Sequence, residues 1–364
     1  MSQDFEEYSG EIQRGLGEDL REAERPRLET FSAYELQHMV LPPVQWLVDG
    51  LIVRGGLGVL AAPPKYGKSW MCLDLCTSIA TGRKFLGFNT WKARPLYLAL
   101  EDSKNRLQAR QNKQLAGRAA AQEFDFSIQR DTTDGLLFDK LETYCTENPD
   151  TALIVIDTLQ KVRSKSSGRN MYAEDYGEIG KLKSFADAHN LTILLVHHLR
   201  KMGDESDPFN RISGSTAIMG AADFAFVLTK SRRQDDEAIL TVTGRDVEEE
   251  EFSLHFDKEF CTWQIVGTVA EVEDKRVRAY YTTDPIVLTV KSLLKADTTW
   301  TGSTSSLKQA VTSVTGFDIP DSERAFTEKV RSVVGPLEEY DGIKYERKSN
   351  GSGGGKHHFW RGSA

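Results

Sequence analysis

Between a buried apolar strand and a helix rich in apolar residues, the chain carries Ala62-Pro63-Pro64-Lys65-Tyr66-Gly67-Lys68-Ser69. A Gly-Lys-Ser triplet on a strand-to-helix turn restricts what can surround it. The turn must aim several backbone N–H groups at one point, where the following helix adds the positive end of its dipole. Such a loop cradles phosphates, with the lysine reaching the β- and γ-phosphates of ATP and the serine hydroxyl available to Mg²⁺. The expected nucleotide-binding set is Ala62, Pro63, Pro64, Lys65, Tyr66, Gly67, Lys68, Ser69 and Trp70. Ala62 stands where glycine is usual, which predicts a strain if that residue must adopt φ > 0. The helix after the loop reads as amphipathic through Met71, Cys72, Leu75, Cys76 and Ile79.

Such a turn needs a parallel sheet around it, and the flanking sequence provides one. The segments GVLAA (58–62), LYLAL (96–100), ALIVI (152–156), LTILLV (191–196) and FAFVLT (224–229) are nearly all apolar. Strands of that kind belong to an α/β fold in which helices cover both sheet faces. After Thr229 the pattern shortens and alternates through AILTVT, FSLHFD and TWQIV, as antiparallel edge strands do.

Three strand ends carry polar groups. Asp157 follows ALIVI and is placed to hold Mg²⁺ with Ser69, directly or through water. Glu101 and Asp102 follow LYLAL. A carboxylate there can orient and deprotonate a water in line with the γ-phosphate, and Glu101 is the catalytic candidate. For Asp102 the competing reading is a charge that caps the next helix. His197 and His198 close the fourth strand, and either can sense phosphate.

The formal net charge of −8 excludes a protein that coats nucleic acid over its whole surface. The charge is uneven, however. Residues 275–364 hold 14 Lys+Arg against 10 Asp+Glu, a net +4, which leaves −12 to the first 274 residues. A loop after Asp157 brings Lys161, Arg163, Lys165 and Arg169 together without an acid until Glu174, and a second loop runs from Arg200 and Lys201 to Arg211. Both suit a phosphate backbone. Four cysteines are too few for a disulfide scaffold and read as packed thiols. With no long apolar run and no leader-like N-terminus, a cytoplasmic setting is expected, without membrane contact.

Four segments are expected: an acidic arm or linker helix over 1–42, with a helical stretch at Gln13–Glu29; an ATPase domain over 43–270; a linker over 271–283; and a domain over 284–364. In the last, Asp284 and Pro285 open a helix to residue 298, with further helices near 303–315 and 321–336. A hairpin tipped by GSGGG then follows, the outline of a winged helix. Lys344, Arg347, Lys348, Lys356 and Arg361 cluster on its proposed wing near Tyr345, Phe359 and Trp360. Such a domain serves either duplex DNA or a protein partner.

Taken together, APPKYGKS, LYLALED, ALIVIDTL, LLVHHLRKM, ISGSTAIMGAADFAFVL and the later GRD resemble the RecA-fold ATPases of the RepA-like type. These are hexameric, replicative-helicase-like proteins of plasmids, phages and other mobile elements. The resemblance covers about residues 43–266. It implies a RecA-like P-loop NTPase core, ATP hydrolysis at subunit interfaces, and a ring around single-stranded DNA. Lys68 and Ser69 become the phosphate and Mg²⁺ residues, Asp157 the second acid of the metal site and Glu101 the catalytic glutamate. His197 or His198 becomes the sensor. Arg245, in Thr243-Gly244-Arg245-Asp246, takes the place of an arginine finger acting in trans, with Arg232 and Arg233 as rivals. Residues 1–42 are expected to be too short for the primase or independent N-terminal domain that the helicase pattern places before the core, a departure from that pattern. Two other functions compete: a winged-helix regulator or loader switched by nucleotide, and a small-molecule kinase. The second is disfavoured because no lid-like arginine cluster is evident.

Overall fold

The computed structural model describes residues 28–164, 171–200, 207–212, 215–319, 322–349 and 355–361. The helix expected over Gln13–Glu29 falls almost wholly outside them. The described residues divide into two units, one ending at Val44 and one beginning at Gln45. In the first, α1 (Ala33–His38) starts with a capping box, the Ser32 and Glu35 side chains each accepting from the other's backbone N–H.

The second unit opens with a two-stranded ribbon, β1 (Trp46–Val48) and β2 (Ile52–Val53), antiparallel to each other. There follow β3 (Gly56–Ala62), α2 (Lys68–Thr81), β4 (Arg94–Ala99), α3 (Lys104–Leu115), β5 (Asp125–Ser127), α4 (Leu137–Glu147) and β6 (Thr151–Asp157). A 3₁₀ turn at Leu159–Lys161 leads to α5 (Met171–Ala188), β7 (Thr192–His198), α6 (Ser215–Ala221) and β8 (Phe224–Thr229). The antiparallel strands β9 (Glu237–Gly244), β10 (Glu250–Asp257) and β11 (Thr262–Thr268) complete one nine-stranded sheet, ordered β11-β10-β9-β8-β3-β7-β6-β4-β5.

The period of two in the strands divides their apolar residues between two cores. Leu60 and Ala62 of β3, with Leu153 and Val155 of β6, belong to one face. Leu57, Val59 and Ala61, with Ile154 and Ile156, belong to the other. Both faces are dry, which is why these segments read as continuous apolar runs. Gly58 is required in β3, since a Cβ there would meet the Phe224 ring at 2.1 Å.

α2 is not the amphipathic helix that its apolar spacing predicts. Leu73, Thr77, Ser78 and Ala80 are buried as well as the five expected residues, so the helix is covered on nearly every side. Asp74 is also buried and pairs with Arg83. All four cysteines are buried free thiols.

The stretch expected as a linker, 271–283, forms the body of α7 (Val269–Thr283), which opens with a Thr268/Glu271 capping box. α8 (Pro285–Ala296) starts as the sequence predicts, the Asp284 carboxylate accepting from the N–H groups of Ile286 and Val287 at 2.8 and 3.2 Å. β12 (Thr299–Ser303), α9 (Thr304–Thr315), α10 (Glu323–Asp341), β13 (Ile343–Ser349) and β14 (Gly355–Arg361) follow. Ile286, Val290, Leu307, Val311, Phe326, Val330 and Phe359 make a separate core there. β12 is not expected from the sequence. Its TWTGS is held as a strand by β14, which it pairs from Thr299↔Trp360 to Ser303↔Lys356. Among the described residues no helix is long and apolar enough to cross a membrane.

A pH dependence arises inside this C-terminal core. The His357 imidazole is fully buried, with Nε2 3.1 Å from Thr304 Oγ1 and Nδ1 3.0 Å from the Tyr345 hydroxyl. Burial, with the nearby Arg347 and Arg331, pulls its pKa down to about 4. The unfolded chain therefore binds a proton at His357 near pH 6.5, whereas the folded chain does so only near pH 4. Stability from this group is full above pH 6.5 and falls as the pH drops toward 4, by up to about 3 kcal/mol. Denaturant unfolding at pH 7 and pH 5 is expected to show this loss, and His357→Gln to reduce it.

Candidate nucleotide site

The parallel register brings the polar strand ends to one edge of the sheet. Ala62 of β3 is level with His198 of β7, and Asp157 of β6 is level with Val196 of β7 and Ala99 of β4. Residues following β3 and β4, and those ending β6 and β7, thus meet at the carboxyl ends of the strands, where α/β sheets bind ligands.

The phosphate loop bends at Lys65 and Gly67, whose φ angles are 68° and 95°. Ala62 ends β3 with no positive φ, so the condition under which alanine would be strained at the first motif position is not met. Gly67 is needed for its dihedral and for lack of room, because a Cβ there would lie 3.0 Å from Trp263 Nε1. Lys68 is only 6% exposed. Its ammonium donates to the carbonyls of Ala62 at 2.7 Å and Pro63 at 3.2 Å, and lies 3.3 Å from His198 Nδ1. Burial lowers the Lys68 pKa to about 8 against the raising pull of Asp157. His198 is lowered too, by burial first and then by the Lys68 charge. Of the two histidines, His198 lines the cleft beside Lys68, and His197 is buried.

Ser69 Oγ donates to Asp157 Oδ2 at 2.7 Å, and the Tyr97 hydroxyl donates to the same oxygen at 2.7 Å. Tyr97 is fully buried, and burial followed by the Asp157 charge raises its pKa well above the usual phenol value. It therefore remains a donor that orients Asp157. Thr158 Oγ1 is buried beside them with no hydrogen-bond partner among the described residues. Two hydroxyls and one carboxylate are hard oxygen ligands that suit Mg²⁺, a cation that takes one or two protein oxygens and completes its shell with water and phosphate.

Glu101 and Asp102 part company. Glu101 is half-exposed, lines the cleft and pairs with Lys161 Nζ at 3.3 Å. The Asp102 side chain is buried between Arg106 and Arg110 of α3, at 3.1 and 2.5 Å, a structural ion pair; the cap of α3 is Ser103, whose hydroxyl accepts from the Arg106 N–H. The cleft encloses about 580 Å³ and runs from the loop to Arg106, Arg110, Lys230, Phe256 and Trp263. Sequence reasoning missed these five. The 106/110 spacing on one helix face was a usable signal for the arginines. Lys230 follows β8, and Phe256 and Trp263 come from the antiparallel strands β10 and β11; nothing local marks any of them. Lys230 Nζ stands 4.8 Å over the Trp263 ring and 5.8 Å from the Phe256 ring.

Other predicted residues lie elsewhere. Arg245 follows β9, whose Gly244 pairs with Phe224 beside Gly58 of β3. That is the edge of the sheet opposite the phosphate loop, and Arg245 is paired there with Asp223 at 3.3 Å. Arg232 and Arg233 are exposed in the turn after β8. Of the basic loop after Asp157, Arg163 folds back on Glu178 of α5 at 3.4 Å, and Lys165 and Arg169 lie outside the described residues. Lys201 also lies outside them, while Arg200 and Arg211 meet at the neck of their loop, where Arg200 N–H donates to the Arg211 carbonyl at 2.8 Å.

The AAA domain family profile matches residues 22–204, half of the chain. That span takes in the phosphate loop, Glu101, Asp157 and His198, and stops short of the antiparallel strands. No curated protein sequence matches. Among solved structures, one isolated ATPase domain aligns at 15% identity and a TM-score of 0.48, over 70% of this chain and 97% of that one. A DnaB-like replicative helicase, described with its interactions with primase, aligns at 15% identity and a TM-score of 0.50, over 70% of this chain and 71% of that one. The strand order, the loop between β3 and α2 and the family match lead to one conclusion: the chain belongs to the AAA domain family and shares its fold with a DnaB-like replicative helicase.

Proposed function

We propose that the chain is a Mg²⁺-dependent, ATP-hydrolysing motor that forms a ring, hexameric as in the group it resembles, and moves on single-stranded DNA as a helicase or translocase of a mobile element. The observation that carries the reading is the meeting of Lys68, His198, Ser69, Asp157 and Glu101 around one cleft at the carboxyl edge of the sheet. Lys68 and His198 face the phosphates, and Glu101 accepts the proton of the attacking water. Ser69 and Asp157 would hold Mg²⁺, with Tyr97 fixing the carboxylate; the bound ion neutralises charge on the phosphates. Arg245 lies too far from its own loop to serve it, so a finger role requires the cleft of a neighbouring copy. The helix–strand–helix–helix–hairpin order of 285–361 supports a winged-helix reading of the C-terminal module.

The Lys161–Glu101 pair supplies a link between DNA and chemistry. Lys161 begins the basic loop expected to meet the phosphate backbone, and its ammonium is on the catalytic carboxylate. A DNA phosphate competes for Lys161 and frees Glu101 for water. Lys161→Ala is expected to raise DNA-free ATP turnover and to remove its stimulation by single-stranded DNA, measured as phosphate release. Unchanged stimulation in that variant would detach the loop from the reaction.

A further inference from the structure

The strand register of the C-terminal module divides its aromatic and basic residues in a way the sequence does not show. Tyr345, Arg347 and Ile343 of β13 pair with Phe359, His357 and Arg361 of β14, on the side that faces the helices. The opposite side is exposed or half-exposed along its length, and in β14 it carries Lys356, His358 and Trp360. Lys344 of β13 is directly beside Trp360, and Lys348 is directly beside Lys356. The His358 and Trp360 rings stack, with centroids 4.9 Å apart and an interplanar angle of 23°. His358 Nδ1 is fixed by Thr301 Oγ1 of β12 at 2.6 Å. Among the described residues Glu346 is the one acid on this face, and it lies 4.0 Å from Lys348 Nζ.

We infer that this outer sheet face binds single-stranded nucleic acid. Backed on one face by His358, the Trp360 ring has its other face for an unpaired base, and three lysines around it meet the adjoining phosphates. A duplex presents no free base face to Trp360, so the platform discriminates strandedness rather than sequence. The charge agrees, since this net-positive module belongs to a chain whose remainder is acidic. The site is separate from the loops at 161–169 and 200–211, and it does not rest on the ATPase reading.

The test is anisotropy of a labelled oligothymidine with the full chain, without nucleotide, compared with a duplex of the same length. Trp360→Ala is expected to weaken single-strand binding at least about fivefold, because one stacked base is lost, and Trp360→Phe to retain most of it. The triple variant Lys344→Glu, Lys348→Glu, Lys356→Glu should weaken it more than about tenfold and reduce the salt slope by about 2. These lysines are exposed, so the triple variant carries the test if Trp360→Ala does not fold. DNA-free ATP turnover is expected to be unchanged in both. Unchanged affinity in the triple variant, equal losses for duplex and single strand, or a Trp360→Phe variant as weak as Trp360→Ala would overturn the assignment.

Discussion

Lys68→Ala is expected to lower ATP turnover by roughly 10²–10³, the scale expected when one preorganised donor to developing charge is removed. The loss follows from where the ammonium sits. It is buried, held by the Ala62 and Pro63 carbonyls, and within reach of His198, so no exposed lysine can take its place. Lys68→Arg is not expected to rescue, because a planar guanidinium cannot fit the point occupied by the compact ammonium. The fold should survive, since alanine suits the first position of α2 and burying a lysine is itself unfavourable. The check is a phosphate-release assay beside a thermal melt: turnover lost and melting temperature kept.

Glu101→Gln is the second large effect, and Asp102→Asn is its control. The two acids are adjacent in sequence but differ in surroundings. Removing a general base costs about 10²–10⁴ in rate, so Glu101→Gln should hydrolyse ATP very slowly while still binding it. Its side chain is half-exposed, and stability should hardly change. Asp102 has only 6% of its side chain exposed and ties Arg106 and Arg110 to the start of α3. Asp102→Asn should therefore lower stability by about 1–2 kcal/mol and leave turnover near that of the unaltered chain. Nucleotide binding, turnover and a denaturant midpoint on both variants separate the roles. A fast Glu101→Gln enzyme beside an inactive Asp102→Asn enzyme would reverse the assignment.

Much of the catalytic edge was legible because parallel strands write their burial directly into sequence. ALIVI and LTILLV are nearly all apolar, and the first ionisable residue after each run marks the carboxyl end of the strand. That rule located Asp157, Glu101 and the histidine pair, and the sequence favoured Glu101 over Asp102 without showing what Asp102 pairs with. Their difference depends on α3, which turns Arg106 and Arg110 toward only one of them. One expectation failed, and one concern did not arise. The apolar spacing of α2 did not reveal that its polar residues, Ser78 and Thr77 among them, are buried too. The concern over Ala62 rested on motif position, whereas the positive φ angles fall at Lys65 and Gly67.

The least legible parts are those made by contacts distant in sequence. β12 exists because β14 lies beside it, and TWTGS has no strand pattern of its own. Phe256 and Trp263 reach the cleft only after the antiparallel strands β9, β10 and β11 have extended the sheet. In the C-terminal hairpin the sequence showed a basic and aromatic cluster, but only the register put Lys344, Lys356 and Trp360 on one side and Arg347 and Phe359 on the other.

The proposed motor joins a nucleotide cleft in one copy to Arg245 of the next, so its assembly decides the matter. Sedimentation of the full chain with a non-hydrolysable ATP analogue, Mg²⁺ and a single-stranded oligonucleotide is expected to show a closed oligomer that carries the DNA with it. A monomer under every condition would contradict the ring and the trans arginine together.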